Sequence, residues 1–190
     1  MTTIKEFSDY VRESSKAYGL AWVVWGFIVL AGFGLMHLLL YRVDWYWIVY
    51  LGIFGTLGTA GLAAGIVTSR IQRKIGKARS WVDVNCSRIW FLSILGGVCL
   101  TVEISSISEI YEIEEVQLMC YILLGWFVAD GIGASASGML TGSKGMAIIG
   151  IILIASIIPI SLYALEYAFL AFGLIMGLGY IASGLADYRI

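Results

Sequence analysis

The sequence predicts an all-α, polytopic membrane protein in which six transmembrane helices form one bundle. Of its 190 residues, 60% are apolar or aromatic and only 13% are charged, whereas soluble domains are about half apolar and about a quarter charged. The mean hydropathy is +0.90. The apolar runs are about twenty residues long, which suits spanning helices and is about twice the length of a membrane β-strand.

An amphipathic lead-in, residues 1–17, precedes the first apolar run. Ile4, Phe7 and Val11 recur in it at three- and four-residue spacing, which is typical of one face of a helix. We expect either a short helix on the inner membrane surface or a frayed terminus.

Six apolar runs then predict six spans in a single membrane domain, residues 18–190. The spans cover residues 18–40, 46–68, 87–106, 116–140, 146–164 and 167–186. Pro159, the only proline, lies near the end of the fifth span, where a kink is expected. An acidic outer segment, residues 105–116, connects the third span to the fourth.

A basic loop, residues 69–85, connects the second and third spans and interleaves cations with apolar residues at helical spacing. Its cations are Arg70, Arg73, Lys74, Lys77 and Arg79. Such a stretch is expected to rest on the anionic headgroups of the lipid bilayer. No nucleic-acid partner is expected, because a positive loop beside spans is the usual signal of membrane topology.

The charge distribution predicts that both termini are cytoplasmic. With the N-terminus inside, eleven of the twelve Lys and Arg residues lie on the cytoplasmic side, and Arg42 alone lies outside. Cytoplasmic loops characteristically carry this excess of Lys and Arg. The outer face instead collects carboxylates, at Asp44, Glu103, Glu109, Glu112, Glu114, Glu115 and Glu166.

A glycine motif recurs three times and defines a repeat unit. The pattern Gly-x-(Gly/Ala)-x-x-Ala-(Ser/Ala)-Gly begins at Gly58, Gly131 and Gly177, each time in the second helix of a helical hairpin. The three tandem hairpins are residues 18–68, 87–140 and 146–186. Because each unit has two spans, the copies share one orientation, which predicts a pseudo-threefold repeat about an axis along the membrane normal.

Helix packing is the favoured interpretation of these glycines, since association of helices in lipid depends on close approach at small residues. The residues expected to serve it are Gly58, Gly65, Gly131, Gly133, Gly138, Gly177, Gly179 and Gly184. The alternative is a glycine-lined path for a solute. A nucleotide-binding motif is not indicated, because the pattern lies within a span and no strand precedes it.

Asp130 directly precedes the middle motif and breaks the repeat, since its counterparts are Leu57 and Met176. It lies about halfway along the fourth span, where a carboxylate costs about 2.5–3.5 kcal/mol. That cost implies a partner group, a water-filled cavity or loss of the charge. The sequence leaves open whether Asp130 is an ion or proton site or makes a structural hydrogen bond to a neighbouring helix.

A strip of small and polar residues extends the Asp130 face toward the cytoplasm. It consists of Ala134, Ser137 and Thr141, and with Asp130 it is the hypothetical path of an ion or solute. Glu103, in the outer third of the third span, is a further candidate at about 10–15 Å in depth from Asp130. The alternative for Glu103 is a rim residue that reaches solvent.

The sequence does not indicate an enzyme, a metal site or a cofactor. It contains no HExxH motif, no phosphate-binding loop and no Ser-His-Asp set. A single histidine, His37, makes a poor metal site and is expected to be a polar tip at the interface. The cysteines, Cys86, Cys99 and Cys120, lack CxxC spacing and are expected to be reduced thiols.

The three-hairpin plan, with the motifs at Gly58, Gly131 and Gly177 in each second helix, resembles the HdeD-like family of small six-span bacterial and archaeal membrane proteins linked to acid resistance. The resemblance covers most of the chain as architecture. It implies a multi-pass protein of a prokaryotic cell membrane and supplies no catalytic residues. Asp130 and the basic loop are not features of that resemblance.

The predicted function is to bind or pass a small ion, proton or solute through the helix bundle, with Asp130 as the intramembrane polar site. The alternative is a non-transporting accessory, structural or stress-response protein that acts through partner contacts. A third is the substrate-capturing subunit of a larger importer. These alternatives leave open a homo-oligomer or a partner membrane protein.

Overall fold

The described residues are almost entirely helical. In a computed structural model of the chain, the structure describes the backbone of residues 4–40, 42, 47–75 and 81–189, and the side chains of residues 18–40, 42, 47–70 and 84–188. The first five helices are α1 (Ile4–Leu40), α2 (Trp47–Ile75), α3 (Trp81–Tyr111), α4 (Glu115–Thr141) and α5 (Lys144–Tyr163).

The last helix, α6, occupies residues 165–189 and changes its winding along its length. It begins with a 3-10 turn at Leu165–Tyr167 and an α-helical turn at Ala168–Phe172, continues as a π-helix at Gly173–Leu178, and is α-helical over Gly179–Arg189. The π-helical part contains the start of the third glycine motif.

Within the described residues, six helices are long and apolar enough to cross a membrane, which confirms the predicted all-helical architecture and the number of candidate spans. The candidate spans are Tyr18–Leu40, Trp47–Arg70, Val84–Tyr111, Glu115–Thr141, Lys144–Tyr163 and Leu165–Tyr188. Two boundaries differ from the prediction. The lead-in from Ile4 onward is continuous with α1 instead of forming a separate short helix, and α3 continues through much of the acidic segment to Tyr111.

Helix α4 lies at the centre of the bundle, between α3 and α5, while α1 lies between α2 and α6. Within the described residues, 72% of the α4 span is buried, against 17% for the spans of α2 and α3. Aromatic side chains join the two halves, because Phe172 of α6 lies 4.6 Å from Phe33 of α1 and 4.8 Å from Phe127 of α4, measured between ring centroids. The periphery is therefore formed by α2 and α3.

Helices α1 and α6 approach each other closely, where glycines with seven-residue spacing face each other in antiparallel order. A methyl group built on Gly26 would lie 2.5 Å from the carbonyl oxygen of Gly177, and one built on Gly19 would lie 2.6 Å from that of Gly184. Both distances are shorter than a carbon–oxygen contact allows. Glycine is thus required on both helices for this approach.

The middle motif makes a similar contact between α4 and α5. A methyl group on Gly131 would lie 2.9 Å from the carbonyl oxygen of Gly150, and one on Gly138 would lie 2.8 Å from that of Ser143. On another face of α4, Gly133 packs against Ser93 of α3. The glycines of the second and third motifs therefore sit at tight helix contacts.

Candidate functional site

A cavity opens between α2 and α3, the two peripheral helices. The bundle has a basic end, defined by the exposed Arg70, Arg88 and Lys144, and an acidic end, where α3 meets α4. Near the acidic end, the side chains of Tyr50 of α2 and Ser105 of α3 lie within interaction range of each other. Toward the basic end the helices separate and enclose a cavity of ≈ 580 Å³.

The deep end of the cavity lies where Phe54 of α2 meets Trp126 of α4 edge-on, with ring centroids 6.0 Å apart. From Phe54 the lining extends along α2 to Ser69, which is about 22 Å at the rise of an α-helix. Thr68 and Ser69 of α2 and Ser87 of α3 line its mouth. The cavity therefore reaches from the basic end to the middle of the bundle.

Helix α2 faces the cavity with its small residues. Gly58 and Gly65, the ends of the first motif, both line the cavity, and a methyl group on either would meet no atom within 4 Å. Close helix approach therefore accounts for the glycines of α4 and α6 but does not account for these two. Their lack of side chains instead widens the cavity.

Asp130 lies at the floor of the cavity, about halfway along α4. Its side chain borders the cavity although the residue is only 2% exposed. Its Oδ2 atom is buried and has no hydrogen-bond partner among the described residues. The Tyr180 hydroxyl lies within range of electrostatic interaction with this carboxylate. No Lys or Arg is among the described residues that line the cavity.

The structure does not bring the other predicted path residues to this cavity. Ala134 and Ser137 are 0% and 1% exposed and lie outside its lining. The Thr141 hydroxyl donates back to the carbonyl oxygen of Ser137 at 2.8 Å, and Glu103 is exposed on α3. The small strip on α4 is thus filled by packing, and the open space beside Asp130 lies toward α2 and α3 instead.

Four tryptophans form a wall of the cavity that the sequence reasoning did not identify. Trp22 and Trp25 of α1 each lie 5.7 Å from Trp90 of α3 between ring centroids. Trp126 of α4 completes the wall, and its Nε1 donates to Thr101 Oγ1 at 3.2 Å. We refer to Trp22, Trp25, Trp90 and Trp126 as the tryptophan wall.

A sequence signal for this wall was present. Tryptophan is typical of membrane interfaces, and Trp47, which is 57% exposed, fits that interpretation. Trp126, in contrast, stands far from either end of its apolar run and is buried, and Trp22 and Trp25 are three residues apart on one helix face. Tryptophans at such positions indicate an interior aromatic cluster.

The basic loop and a possible metal site were the subjects of two other predictions, and the structure describes only part of the basic loop. Arg70 is exposed at the end of the α2 span, whereas the side chains of Arg73, Lys74, Lys77 and Arg79 lie outside the described residues. Within the described part of the chain, no three His, Cys, Asp or Glu residues form a group that could hold a metal ion. The cavity is therefore the candidate site on which a function can be argued.

The chain matches no protein-family model, no curated protein and no solved structure. The resemblance to the HdeD-like family thus stays a prediction.

Proposed function

We propose that the six helices cross a membrane and that the protein binds or passes a small ion, proton or solute in the cavity between α2 and α3. The observation that carries this proposal is a mid-helix carboxylate, Asp130, with an unpartnered buried oxygen at the floor of an open cavity. An isolated carboxylate in an apolar environment is costly unless a partner compensates it. A ligand in the cavity would supply that partner, and no catalytic role is proposed.

The orientation we propose places both termini in the cytoplasm and the mouth of the cavity on the cytoplasmic side of a prokaryotic cell membrane. Arg70, Arg88 and Lys144 are exposed at the basic end, and this excess of cations supports a cytoplasmic location for that end. The three hairpins remain the proposed repeat units, with a glycine motif near the basic end of each second helix.

Water access to the cavity is the first test. Gly58 and Gly55 are both exposed glycines of α2 with open space around them, but only Gly58 lines the cavity. In a protein without its native cysteines, we expect a charged methanethiosulfonate reagent to label Gly58→Cys in membrane vesicles and to leave Gly55→Cys unlabelled, because Gly55 would face lipid. Equal labelling of the two thiols, or none at Gly58→Cys, would contradict a hydrated cavity.

Passage of a solute is tested by flux measurements in proteoliposomes. Asp130→Asn should reduce flux of the transported ion or proton at least tenfold, because the amide keeps the shape of the side chain and removes its charge. Glu103→Gln is the matched control, since Glu103 is an exposed acid outside the cavity. If both variants retain the flux of the unaltered protein, Asp130 is not the polar site.

The accessory function is a second proposal, supported by the exposure of α3. Only 17% of its span is buried, and Glu103 is exposed well inside that span, where a partner would shield it from lipid. Cys99 is exposed on the same helix, so a thiol-specific bifunctional reagent should cross-link two copies if α3 forms a homo-oligomer. A stable co-purified membrane protein would indicate a different partner.

A further inference from the structure

The cavity between α2 and α3 combines one carboxylate with the tryptophan wall, and this combination suits one class of ligand. We infer that the cavity binds a lipophilic organic monocation, of the quaternary ammonium or phosphonium type. The inference rests on the proposed function, because it requires that the cavity admit a ligand at all.

The charge of the ligand follows from the lining. Asp130 is the one charged residue among the described residues that border the cavity. Arg70 does not line the cavity but borders an adjoining depression on α2, which shares lining residues with it, among them Gly65 and Ser69. An ionised Asp130 would therefore attract a cation, with no competing cation among the described residues of the lining, and would repel an anion.

An inorganic cation fits the site poorly. Calcium takes six to eight oxygen ligands, and magnesium needs an octahedral set of oxygens. The other oxygen-bearing side chains of the lining belong to residues near the basic ends of their helices, whereas Asp130 lies about halfway along α4; they are Tyr18, Thr68, Ser69 and Ser87. A small ion at Asp130 would thus lose its hydration shell and gain a single carboxylate, next to indole rings.

The tryptophan wall suits an organic cation because it offers aromatic faces, whereas a metal ion needs oxygen ligands. Tryptophan is the aromatic side chain that attracts cations most strongly through its π-face, and quaternary ammonium groups are typical ligands of such aromatic sites. Trp90 is in ring contact with both Trp22 and Trp25, so the three rings form an aromatic cluster beside the cavity. An organic cation spreads its charge over an apolar body, so it can leave water at little cost and still interact with Asp130.

The size of the cavity agrees with a ligand of this kind. Its ≈ 580 Å³ falls within the roughly 300–1,000 Å³ typical of small-molecule sites. Small and apolar residues of α2 also line the cavity, among them Gly58, Leu62 and Gly65. These residues would contact the hydrocarbon part of the ligand while its charge lies toward Asp130 and the wall.

The experiment compares tetraphenylphosphonium with tetraphenylborate, which have the same shape and opposite charge, on the full chain in lipid nanodiscs. Calorimetric titration, with empty nanodiscs subtracted, should show saturable binding of the phosphonium and at least tenfold weaker binding of the borate. Asp130→Asn should weaken phosphonium binding at least tenfold, and Glu103→Gln should leave it unchanged. Trp90→Leu should weaken it severalfold, and Trp90→Phe should weaken it less.

The position of the bound ligand is tested by substitutions that fill the cavity. Gly58→Leu should abolish saturable binding, whereas Gly55→Leu, which adds the same side chain to α2 outside the cavity lining, should preserve it. If the borate binds as tightly as the phosphonium, and Gly58→Leu blocks both, the cavity is a ligand site but the inferred charge preference is wrong. The comparison of the two ions needs no variant, so it holds even if Asp130→Asn misfolds.

The remaining outcomes separate this inference from the function it rests on. If the phosphonium does not bind although Gly58→Cys is labelled by the water-soluble thiol reagent, the inference fails and the hydrated cavity remains. If neither ion binds and Gly58→Cys is unlabelled, both proposals fail. A co-purified phospholipid that the phosphonium does not displace would assign the cavity to an acyl chain and overturn the inference.

Discussion

The glycine motifs of α2 and α6 have the same pattern but opposite surroundings. In α6, Gly177 and Gly184 lie against the backbone of α1, so closely that an added methyl group would overlap it. In α2, Gly58 and Gly65 have open space at the equivalent positions and line a cavity. This motif therefore specifies a shallow helix surface, and the side chains of the neighbouring helix decide whether that surface is packed or left open.

The neighbours differ in the size of the side chains they present. Helix α1 faces α6 with Gly19 and Gly26, whose spacing of seven residues matches that of the motif, so two shallow surfaces meet. Helix α3 faces α2 across the cavity with Trp90, Ile94 and Val98. Bulky side chains on one side hold the helices apart, and glycine on the other leaves the gap unfilled.

The largest change in the free energy of unfolding is expected from substitutions at the close contact between α1 and α6. Gly177→Ala would place a methyl group 2.7 Å from Leu30 Cβ and 3.0 Å from the carbonyl oxygen of Gly26. Overpacking of this kind should cost about 3 kcal/mol, measured by unfolding in mixed detergent micelles, and Gly177→Val should yield no folded monomer. If Gly177→Ala is as stable as the unaltered protein, the close contact between α1 and α6 is wrong.

The next effect concerns the junction that fastens α6 to the turn between α4 and α5. The Ser143 hydroxyl donates to Asp187 Oδ2 at 2.7 Å and accepts from the backbone N–H of Met146 at 3.4 Å, as the N-cap of α5. Ser143→Ala removes these two bonds and the 3.3 Å contact with the Ser183 hydroxyl, and should cost about 1–2 kcal/mol in the same assay. Ser161→Ala is the control, because the Ser161 hydroxyl bonds only within its own helix. If the two variants lose the same amount of stability, the contact between Ser143 and Asp187 is worth no more than a bond within one helix.

A smaller effect on stability is expected at the contact between α3, which borders the cavity, and α4, the buried helix. Trp126 Nε1 donates to Thr101 Oγ1 at 3.2 Å, and the Thr101 hydroxyl donates in turn to the carbonyl oxygen of Gly97. A double-mutant cycle of Trp126→Phe and Thr101→Val should give a coupling energy of about 0.5–1.5 kcal/mol. A coupling near zero would mean that this hydrogen bond does not hold α3 against α4.

The smallest effect has the opposite sign. Alanine is more favourable than glycine in a helix interior by about 0.5–1 kcal/mol, and nothing crowds Gly58, so Gly58→Ala should stabilise the protein by that amount. Gly55→Ala, which also adds a methyl group in open space, should behave alike. If only Gly58→Ala destabilises the protein in lipid, the first motif is covered there, by a second copy or another partner.

Much of the architecture could be predicted from the sequence. Six spans follow from the length and apolarity of the runs, and Asp130 stood out because a carboxylate is expensive in such a run. The strip of Ala134 and Ser137 is buried outside the cavity lining, since small residues on the face of an acid can either border a cavity or be packed against a neighbour. Helical spacing cannot separate those outcomes, because it describes one helix alone.

The helical class, the six candidate spans and one unusual acid, Asp130, could be recognised in the sequence alone. These depend on hydropathy and periodicity, which each helix carries without reference to the others. Only the tertiary structure decided that Gly177 packs while Gly58 borders a cavity, and that Asp130 shares that cavity with the tryptophan wall. The physical reason is that packing is a property of two facing surfaces, and the depth of the gap depends on the side chains of both.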